Sequence, residues 1–393
     1  MTTGNNTIWV SAGELSGDMH GSSLVQALSS QNPDLSFIGM GGPHMAEEPN
    51  FTPLFRIEEL SVMGLTEVVR HLPRILRLLG RIKNTLAERK PRALIVIDAP
   101  SFHFRVIKAA RALGIPVYYY ISPKAWAWNA KRVLFIKKNV RRLISILPFE
   151  VDFYKRFGMD IDYVGNPLVD MVNFDSIKDI VPVPGKIGLL PGSRGKEISS
   201  LVPEFGKAAR ILLQKLPHLR FHMVRAPGIE EDTLRALWPA DVPVSIDPPA
   251  NRYAFMRSSE MLIAASGTVT LEAALTGTPT IVTYKVSPVT FALAKSVIKI
   301  RYISLSNLIL GRGVFPELLQ KESDGENIAK RALEWLAPES GTCPLEDVRR
   351  DLSSLQNAMG EKGAVNRAAK VILDDLADLR PGSPGSAGIF ATD

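Results

Sequence analysis

Short apolar runs rich in valine, isoleucine and tyrosine alternate with helical patterns along the first part of the chain. This alternation indicates a parallel sheet covered by helices on both faces. The predicted strands are IWVSA at 8–12, ALIVID at 93–98, IPVYYYIS at 115–122 and RLISILP at 142–148.

A proline-rich segment, Ile180 to Lys186, interrupts this pattern. Because valine and proline alternate there, the segment cannot continue a helix or a central strand, and it predicts an interdomain hinge. The pattern then resumes, with helices predicted from about Ser199 and Val269 and strands in KIGLLPGSR, LRFHMVRA, VPVSID, EMLIAASGT and PTIVTYK. Two such α/β halves leave a cleft between the carboxyl ends of two sheets, where ligands bind.

A chain of 393 residues is long enough for two domains. We expect one Rossmann-like domain in residues 1–180 and a second in residues 181–345. Residues 346–380 have helical patterns, and composition predicts a disordered tail in residues 381–393.

Charge and cysteine content narrow the functional classes. A formal net charge of +7 attracts anions, either phosphorylated substrates, an anionic membrane or nucleic acid. The basic residues lie among aliphatic ones without aromatic stacking platforms, so nucleic-acid binding is not expected. The single cysteine, Cys343, cannot form an intramolecular disulfide and indicates a reducing compartment. Neither a signal peptide nor a run of eighteen apolar residues occurs, so we expect a chain that is neither exported nor membrane-spanning.

The loop in LLPGSRGKEIS predicts a phosphate site. Gly192, Ser193 and Gly195 expose backbone amides after a strand, and the positive end of the following helix would face the same anion. Arg194 would add a charge-assisted fork to a diphosphate. The alternative is a surface turn with a solvated arginine.

A second loop of this kind lies in AASGTVTLEAAL. Ser266, Gly267 and Thr268 would offer amides to phosphate or ribose, and Glu272 would accept from the ribose hydroxyls. Alternatively, Glu272 only stabilises a helix N-terminus.

In the first half, SAGELSGDMHG places a glycine-rich turn after the first strand. GMGGPHM resembles a dinucleotide fingerprint only loosely, because Pro43 interrupts it. The residues of the turn that we expect at the cleft are Glu14, Ser16, Asp18 and His20. The candidate substrate- or UDP-binding residues of the turn are Gly13, Glu14, Ser16 and Gly17.

Asp98 ends a strongly apolar strand and is the candidate general base. Partial desolvation at the cleft would raise its pKa and suit it to hold a sugar hydroxyl. The alternative is a capping aspartate bonded to nearby amides. The histidines are scattered and Asp160 and Asp162 lack further ligands nearby, so no metal site is predicted.

Residues 60–83 predict a basic amphipathic helix, with arginines at 70, 74, 77 and 81 along one stripe. Such a helix could lie in a membrane interface, or bury its apolar face in the protein core. Pro73 either starts a second helix or kinks the first. The side chains expected at the interface are Val62, Met63, Leu65, Val68, Val69, Leu72, Ile75, Leu76 and Leu79.

Many ordered blocks together resemble the lipid-A-disaccharide synthase family, from about Ile8 to near residue 375. They are SAGELSGDMHG, GMGGPHM, VMGLTEVV, IDAPSF, YYISPKAWAW, LPFE, LLPGSRGKEI, SGTVTLEAAL and SNLILGR.

The resemblance implies a two-domain glycosyltransferase B-type fold and an inverting reaction without metal or cofactor. In the family, the 6-hydroxyl of 2,3-diacylglucosamine 1-phosphate attacks UDP-2,3-diacylglucosamine and gives a β(1→6) disaccharide and UDP. The first domain would face the acceptor and the membrane, and the second would bind the UDP-sugar. The resemblance also implies work at the inner face of the cytoplasmic membrane, contact with its lipids, and dimers formed through the C-terminal part.

By the same resemblance, Asp98 matches the general base and Arg194 with its loop matches the UDP site. Glu272 matches the ribose contact, and Asn307 lies in a block that faces the nucleotide. The chain departs from the family where Asn166 replaces a usual histidine, and Lys124, Asn129 and His44 also differ. Two alternatives remain on the same framework, a UDP-sugar 2-epimerase and a non-catalytic nucleotide- or lipid-binding protein.

Overall fold

A computed structural model of the chain describes residues 6–60, 65–287, 291, 300–338 and 343–379, with the backbone alone for residues 65–72 and 128. The strands in these ranges are β1 (Thr7–Ala12), β2 (Ser36–Gly41), β3 (Phe51–Arg56), β4 (Ala93–Ile97), β5 (Val117–Tyr120), β6 (Arg142–Ser145), β7 (Asp162–Tyr163), β8 (Val183–Leu190), β9 (Arg220–Val224), β10 (Ser245–Asp247), β11 (Ser259–Ala265), β12 (Thr280–Tyr284) and β13 (Glu317–Leu319).

The helices in the same ranges are α1 (Leu15–Gln31), α2 (Pro43–Ala46), α3 (Leu65–Arg89), α4 (Pro100–Ala112), α5 (Ala125–Trp128), α6 (Arg132–Asn139), α7 (Phe149–Lys155), α8 (Leu168–Met171), α9 (Phe174–Ile177), α10 (Gly195–Lys215), α11 (Glu231–Leu237), α12 (Arg252–Ser258), α13 (Thr268–Leu275), α14 (Leu305–Leu310), α15 (Gly325–Leu336), α16 (Pro344–Ala358) and α17 (Ala364–Asp378).

The chain folds as two units, each built on one parallel sheet. The first unit comprises the residues up to Pro167 together with those from Lys362 onward, and its strand order is β3-β2-β1-β4-β5-β6-β7. The second unit comprises Leu168–Glu361, with the order β10-β9-β8-β11-β12-β13. This architecture confirms the predicted α/β class with two Rossmann-like domains.

The central strands of both sheets are apolar on both faces because helices cover both. In β1, Ile8 and Val10 face a core that α1 and α17 cover, whereas Trp9 faces the core on the side of α4 and α6. In the second unit, Ile263 on β11 faces α10, and Leu262 faces α12. The near-continuous apolar runs that predicted these strands reflect this double burial.

The last helix, α17, belongs to the first unit, which differs from the predicted division of the chain. Its apolar face, with Ala368 and Ile372, packs into the core beside α1, and Asp375 accepts a 2.6 Å hydrogen bond from the Tyr118 hydroxyl. Helix α16 instead remains with the second unit, and the boundary lies at residues 167/168, whereas the sequence predicted 180/181. An amphipathic pattern shows that a helix has an apolar face, but not which sheet it covers.

The prediction of a hinge at residues 180–186 is wrong in its second half, because β8 begins at Val183 and is a central strand. Pro184 is tolerated there since the register with β11 shifts after the pair Val183–Ser259. Gly185 has φ +77 and donates its amide to the Glu260 carboxylate at 2.5 Å, outside the strand ladder.

Two helix boundaries also differ from expectation. Helix α10 begins at Gly195, four residues before the predicted Ser199, so it follows the glycine-rich loop directly. Helix α3 runs unbroken through Pro73 for 25 residues. None of the helices within the described ranges is long and apolar enough to cross a bilayer. The predicted disordered tail, residues 381–393, lies outside the described residues.

Candidate active site

In the first unit, the predicted base and the glycine-rich turn lie side by side. Strands β1 and β4 are neighbours, with Ala12 paired to Ile97, and the strand order reverses between them. Gly13 follows one strand and Asp98 the other. A side chain on Gly13 would overlap the Cβ of Ala99, so only glycine allows this approach. Such a switch point is where open α/β sheets bind ligands.

Asp98 and Ala99 both adopt left-handed backbone conformations, with φ of 48° and 44°. Consecutive non-glycine residues in this region are strained and need support from their surroundings. Two donors provide it at the carbonyl oxygen of Asp98, namely the Tyr119 hydroxyl at 2.8 Å and Nδ1 of His103 at 2.8 Å. We call these contacts the carbonyl clamp. It fixes the backbone from which the Asp98 carboxyl projects.

The tautomer of His103 follows from its partners. A carbonyl oxygen only accepts, so Nδ1 carries the proton, and Nε2 accepts from the Ser11 hydroxyl at 3.0 Å. Complete burial lowers the pKa of His103 to about 4, which keeps the imidazole neutral. The sequence analysis missed both residues: His103 follows the predicted strand that ends at Asp98, and Tyr119 lies inside the predicted strand at 115–122.

The carboxyl group of Asp98 is half-buried, and burial raises its pKa above the ordinary value. The positive charge of Lys124 and the amide of Ala99 oppose the rise. A partly desolvated carboxylate of this kind can hold and accept a hydroxyl proton.

The remaining predicted residues of this turn differ in their accessibility. Glu14 is the N-cap of α1, and both it and Ser16 are exposed at the carboxyl edge of the sheet. Gly17 is buried, and a Cβ placed on it would lie 3.6 Å from the carbonyl oxygen of Ile97. It therefore lies where α1 packs against β4. A ligand contact for Gly17 is therefore not supported.

Asp18 was also expected at the cleft, and that expectation is wrong. Its fully buried carboxylate accepts hydrogen bonds from the amides of Gly42, His44 and Met45, at 2.6–3.2 Å. Asp18 therefore fixes the start of α2, where a helix N-terminus favours an anion. His20 is packed edge-on to Tyr120, with ring centroids 6.5 Å apart.

The two predicted phosphate loops are neighbours in the second unit. They follow β8 and β11, which pair side by side at the switch point of that sheet. Gly192 has φ +100, and a Cβ there would lie 3.4 Å from the Cβ of Ala265 and 2.7 Å from Oε2 of Glu197. The structure thus brings together the two loops that the sequence proposed separately.

Both loops expose polar groups. Ser193 and Arg194 are exposed, and the Arg194 side chain is 81% accessible, with one weak contact of 3.3 Å to Glu197. Gly267 caps α13, and Thr268 is its first residue; both are exposed. Their amides have no acceptor within the helix, whereas the Ser266 amide donates to Thr283 at 2.8 Å.

Glu272 lies in the second turn of α13 and is only 7% exposed. Its Oε1 accepts from Arg252 at 3.0 Å. Burial raises the pKa of Glu272, and the charge of Arg252 opposes that rise. The predicted ribose contact would have to share this carboxylate with Arg252.

Asn307 corrects a prediction drawn from the family resemblance. It is fully buried, and its Nδ2 donates to the carbonyl of Phe315 and to Glu317, each at 2.8 Å. Its Oδ1 accepts the amides of Val314 and Phe315 at 2.9 Å. These four bonds saturate the amide group, so Asn307 shapes the loop after α14 and has no donor left for a nucleotide.

Of the side chains predicted at a membrane interface, three are described. Leu76 is 54% exposed, Ile75 is half-buried, and Leu79 is 4% exposed within the core of the first unit. The prediction that Leu79 lies at a membrane interface is therefore wrong, because its side chain is buried in the core. Val62 and Met63 lie outside the described residues, as do the side chains of Leu65, Val68, Val69 and Leu72.

Comparison with known proteins decides the family. The family described as lipid-A-disaccharide synthetase matches residues 8–369. The chain is 40% identical to a lipid-A-disaccharide synthase of Myxococcus xanthus, covering 94% of this chain and 97% of the relative. It is 38% identical to a lipid-A-disaccharide synthase of Trichlorobacter lovleyi, covering 93% and 96%.

The chain belongs to the lipid-A-disaccharide synthetase family. It is accordingly a glycosyltransferase of lipid A biosynthesis. Among solved structures it is similar to UDP-GlcNAc 2-epimerase from Neisseria meningitidis bound to UDP-GlcNAc, with a TM-score of 0.62, 14% identity, and coverage of 95% of this chain and 100% of that chain. A UGT transferase from Siraitia grosvenorii in complex with UDP is similar with a TM-score of 0.59, 12% identity and coverage of 94% and 100%. At these identities the likeness shows the fold alone, and it confirms the predicted glycosyltransferase B-type fold.

Proposed function

We propose that the enzyme transfers 2,3-diacylglucosamine from UDP-2,3-diacylglucosamine to 2,3-diacylglucosamine 1-phosphate, with inversion at the anomeric carbon. The observation that carries this proposal is Asp98, a half-buried carboxylate at the switch point of the first sheet with its backbone held by the carbonyl clamp. Burial raises the pKa of Asp98, which makes its carboxylate a stronger base and supports this role.

The reaction is a single displacement. The 6-hydroxyl oxygen of the acceptor forms a bond to the anomeric carbon as Asp98 takes its proton. The bond from that carbon to the diphosphate breaks, and its electron pair leaves with UDP. Fixed donors near the leaving diphosphate would stabilise the developing charge without reorganising.

In the second unit, the adjoining loops at Gly192 and Gly267 are the proposed diphosphate site. Their amides and the starts of α10 and α13 offer positive potential, and the exposed guanidinium of Arg194 can form a fork with phosphate oxygens. We propose that the Glu272 carboxylate accepts hydrogen bonds from the ribose hydroxyls. These bonds would replace part of its contact with Arg252. Asn307 has no part in this site.

Contact with lipids at the inner face of the cytoplasmic membrane is the second element of the proposal. Arg74, Arg77 and Leu76 are exposed on α3, which combines cations for lipid phosphate with an apolar side chain. Association of two copies of the chain remains a prediction of the family resemblance.

Purified protein incubated with both lipid sugars should form disaccharide and UDP in equal amounts, which mass spectrometry can follow. Asp98→Ala should abolish turnover while calorimetry shows UDP affinity unchanged, and Asp152→Ala, at an exposed site on α7, serves as the control. Normal turnover by Asp98→Ala would reject Asp98 as the general base.

Incubation with the UDP-sugar donor alone tests the epimerase alternative, since an epimerase would convert the UDP-sugar without acceptor.

Arg194→Met should weaken UDP binding by about tenfold, because one charge-assisted fork is lost. Lys196→Met changes an exposed cation two residues away and should leave binding as it is. Equal affinities for the two variants would place the diphosphate elsewhere.

A further inference from the structure

Glu150 is a buried carboxyl group that the proposed reaction does not use. It is the second residue of α7 in the first unit and is 1% exposed. A side chain so enclosed cannot touch a substrate. Whatever it contributes must pass through the groups that bond to it.

Those groups come from two neighbouring strand ends. The indole Nε1 of Trp126 donates to Glu150 Oε1 at 2.9 Å, and the hydroxyl of Ser145, at the end of β6, donates to Oε2. The hydroxyl of Ser122, just after β5, lowers the pKa of Glu150 and lies 2.8 Å from the hydroxyl of Tyr154 on α7. Glu150 thus holds the segment Ser122–Trp126 at its Trp126 end, and the Ser122 end bonds to Tyr154 on the same helix as Glu150.

That segment carries a cation beside the candidate base. Lys124 is exposed, and its positive charge acts on both Asp98 and Glu150. The neighbouring strands β4 and β5 are in register up to Ile97 and Tyr120, so Asp98 and the segment leave the sheet at the same level. Moving the segment would therefore move a charge relative to Asp98.

We propose that Glu150 is a positioning residue, a buried acceptor that ties the segment Ser122–Trp126, through Trp126, to Ser145 at the end of β6 and so sets where Lys124 stands beside Asp98. The inference rests on the proposed function in one respect, the role of Asp98 as base. Its structural half, the tie between Glu150 and Trp126, is independent of the reaction.

The pocket suits an acceptor in either protonation state. The indole of Trp126 and the hydroxyl of Ser145 donate to the carboxyl group, and Lys124 and Tyr154 are the titratable groups facing it. Burial raises the pKa of Glu150 to about 7. Glutamine resembles the protonated form, since its oxygen accepts from the indole and hydroxyls can rotate to accept its amide protons.

The test compares Glu150→Ala with Glu150→Gln in the disaccharide assay. Alanine should lower kcat by about tenfold or more, because a misplaced group beside the reacting atoms costs this much. UDP affinity, a property assigned to the second unit, should stay within about twofold. Glutamine should restore kcat to within about threefold of wild type, as expected for a retained hydrogen-bond pattern.

Trp126→Phe keeps a ring against Phe149 but removes the donated hydrogen bond, and it should lower kcat in the same direction. The matched control is Trp238→Phe, which loses a comparable 2.8 Å bond from its indole to Val242 in the second unit. If Glu150→Ala fails to fold, the comparison of Trp126→Phe with Trp238→Phe tests the proposal instead. Equal kcat for the two phenylalanine variants would overturn the proposal.

Three further results would also overturn it. They are a kcat within twofold of wild type for Glu150→Ala, a parallel loss of UDP affinity and kcat, or an absence of rescue by glutamine. If no disaccharide forms with any variant, the proposed function has failed, and the indole N–H resonance of Trp126 then tests the tie alone. That resonance should have a different chemical shift in Glu150→Ala than in wild type. In wild type its chemical shift should change with pH around pH 7, and in Glu150→Gln it should not. A resonance that stays in the same place in Glu150→Ala would contradict the inference.

Discussion

The phenolic hydroxyl of Tyr119 donates a 2.8 Å hydrogen bond to the main-chain carbonyl oxygen of Asp98. Tyr119→Phe removes this donor and preserves the packed ring, so His103 alone holds the left-handed backbone. We expect kcat to fall about fivefold, the equivalent of about 1 kcal/mol for one hydrogen bond. Steady-state assays should show this fall with UDP affinity unchanged.

Tyr118→Phe is the control for that change, because Tyr118 lies on the same strand with its hydroxyl directed at Asp375 on α17. Loss of the hydrogen bond from Tyr118 to Asp375 should lower the free energy of unfolding by about 1 kcal/mol and leave kcat near that of wild type. A fall in kcat for Tyr118→Phe equal to that for Tyr119→Phe would show that the carbonyl clamp has no specific role.

Lys124→Gln should change the pH dependence of the reaction. As a base, Asp98 is active when deprotonated, so kcat/KM falls as the pH drops through its raised pKa. Lys124 lowers that pKa, and its removal should move the acidic limb of the profile to higher pH. Lys131→Gln, at an exposed site before α6, is the control, and a limb that stays in place or moves to lower pH would contradict the assignment.

Gly192→Ala and Gly267→Ala should separate folding from ligand contact. Alanine at 192 must adopt φ near +100 and approach Glu197, which should cost about 1–2 kcal/mol of stability. At 267 the backbone is extended and a Cβ would meet nothing within 4 Å, so stability should hold. Calorimetry should nevertheless show weaker UDP binding for Gly267→Ala, because a methyl group there would face the diphosphate; unchanged binding would remove this loop from the site.

Leu76→Ser and Leu79→Ser test the lipid contact of α3. Leu76 is exposed, so its change should reduce binding to anionic vesicles and alter stability by no more than about 0.5 kcal/mol. Leu79 is buried, so its change should cost about 2 kcal/mol or more. Vesicle binding by Leu76→Ser equal to wild type would argue against an interfacial role for this exposed face.

The sequence predicted the central strands well, because a strand buried on both faces has to be apolar throughout. The ends of those strands then located Asp98 and both glycine-rich loops. Strands at or near the sheet edges were missed: β2 contains Gly39 and Gly41, and β3 contains Pro53. Neither composition is typical of a strand.

The errors share one physical origin, which is that a residue type does not show what bonds to it. Asn307 and Asp18 are polar residues in suggestive motifs, yet backbone amides outside those motifs bond to both side chains. Conversely, Tyr119 looked like an ordinary strand residue. Only the hydrogen bond from its hydroxyl to the carbonyl of Asp98, just after the neighbouring strand, gives it a place at the site.

The return of α17 to the first sheet has a consequence for synthesis on the ribosome. Ala368, Ile372 and Leu376 complete a core that begins at Ile8, so that core stays open until nearly all of the chain has been made. The second unit is continuous in sequence, so its core needs no segment from a later part of the chain. The half that is translated first should therefore be the half that finishes folding last, with its apolar sheet face available to chaperones in the meantime.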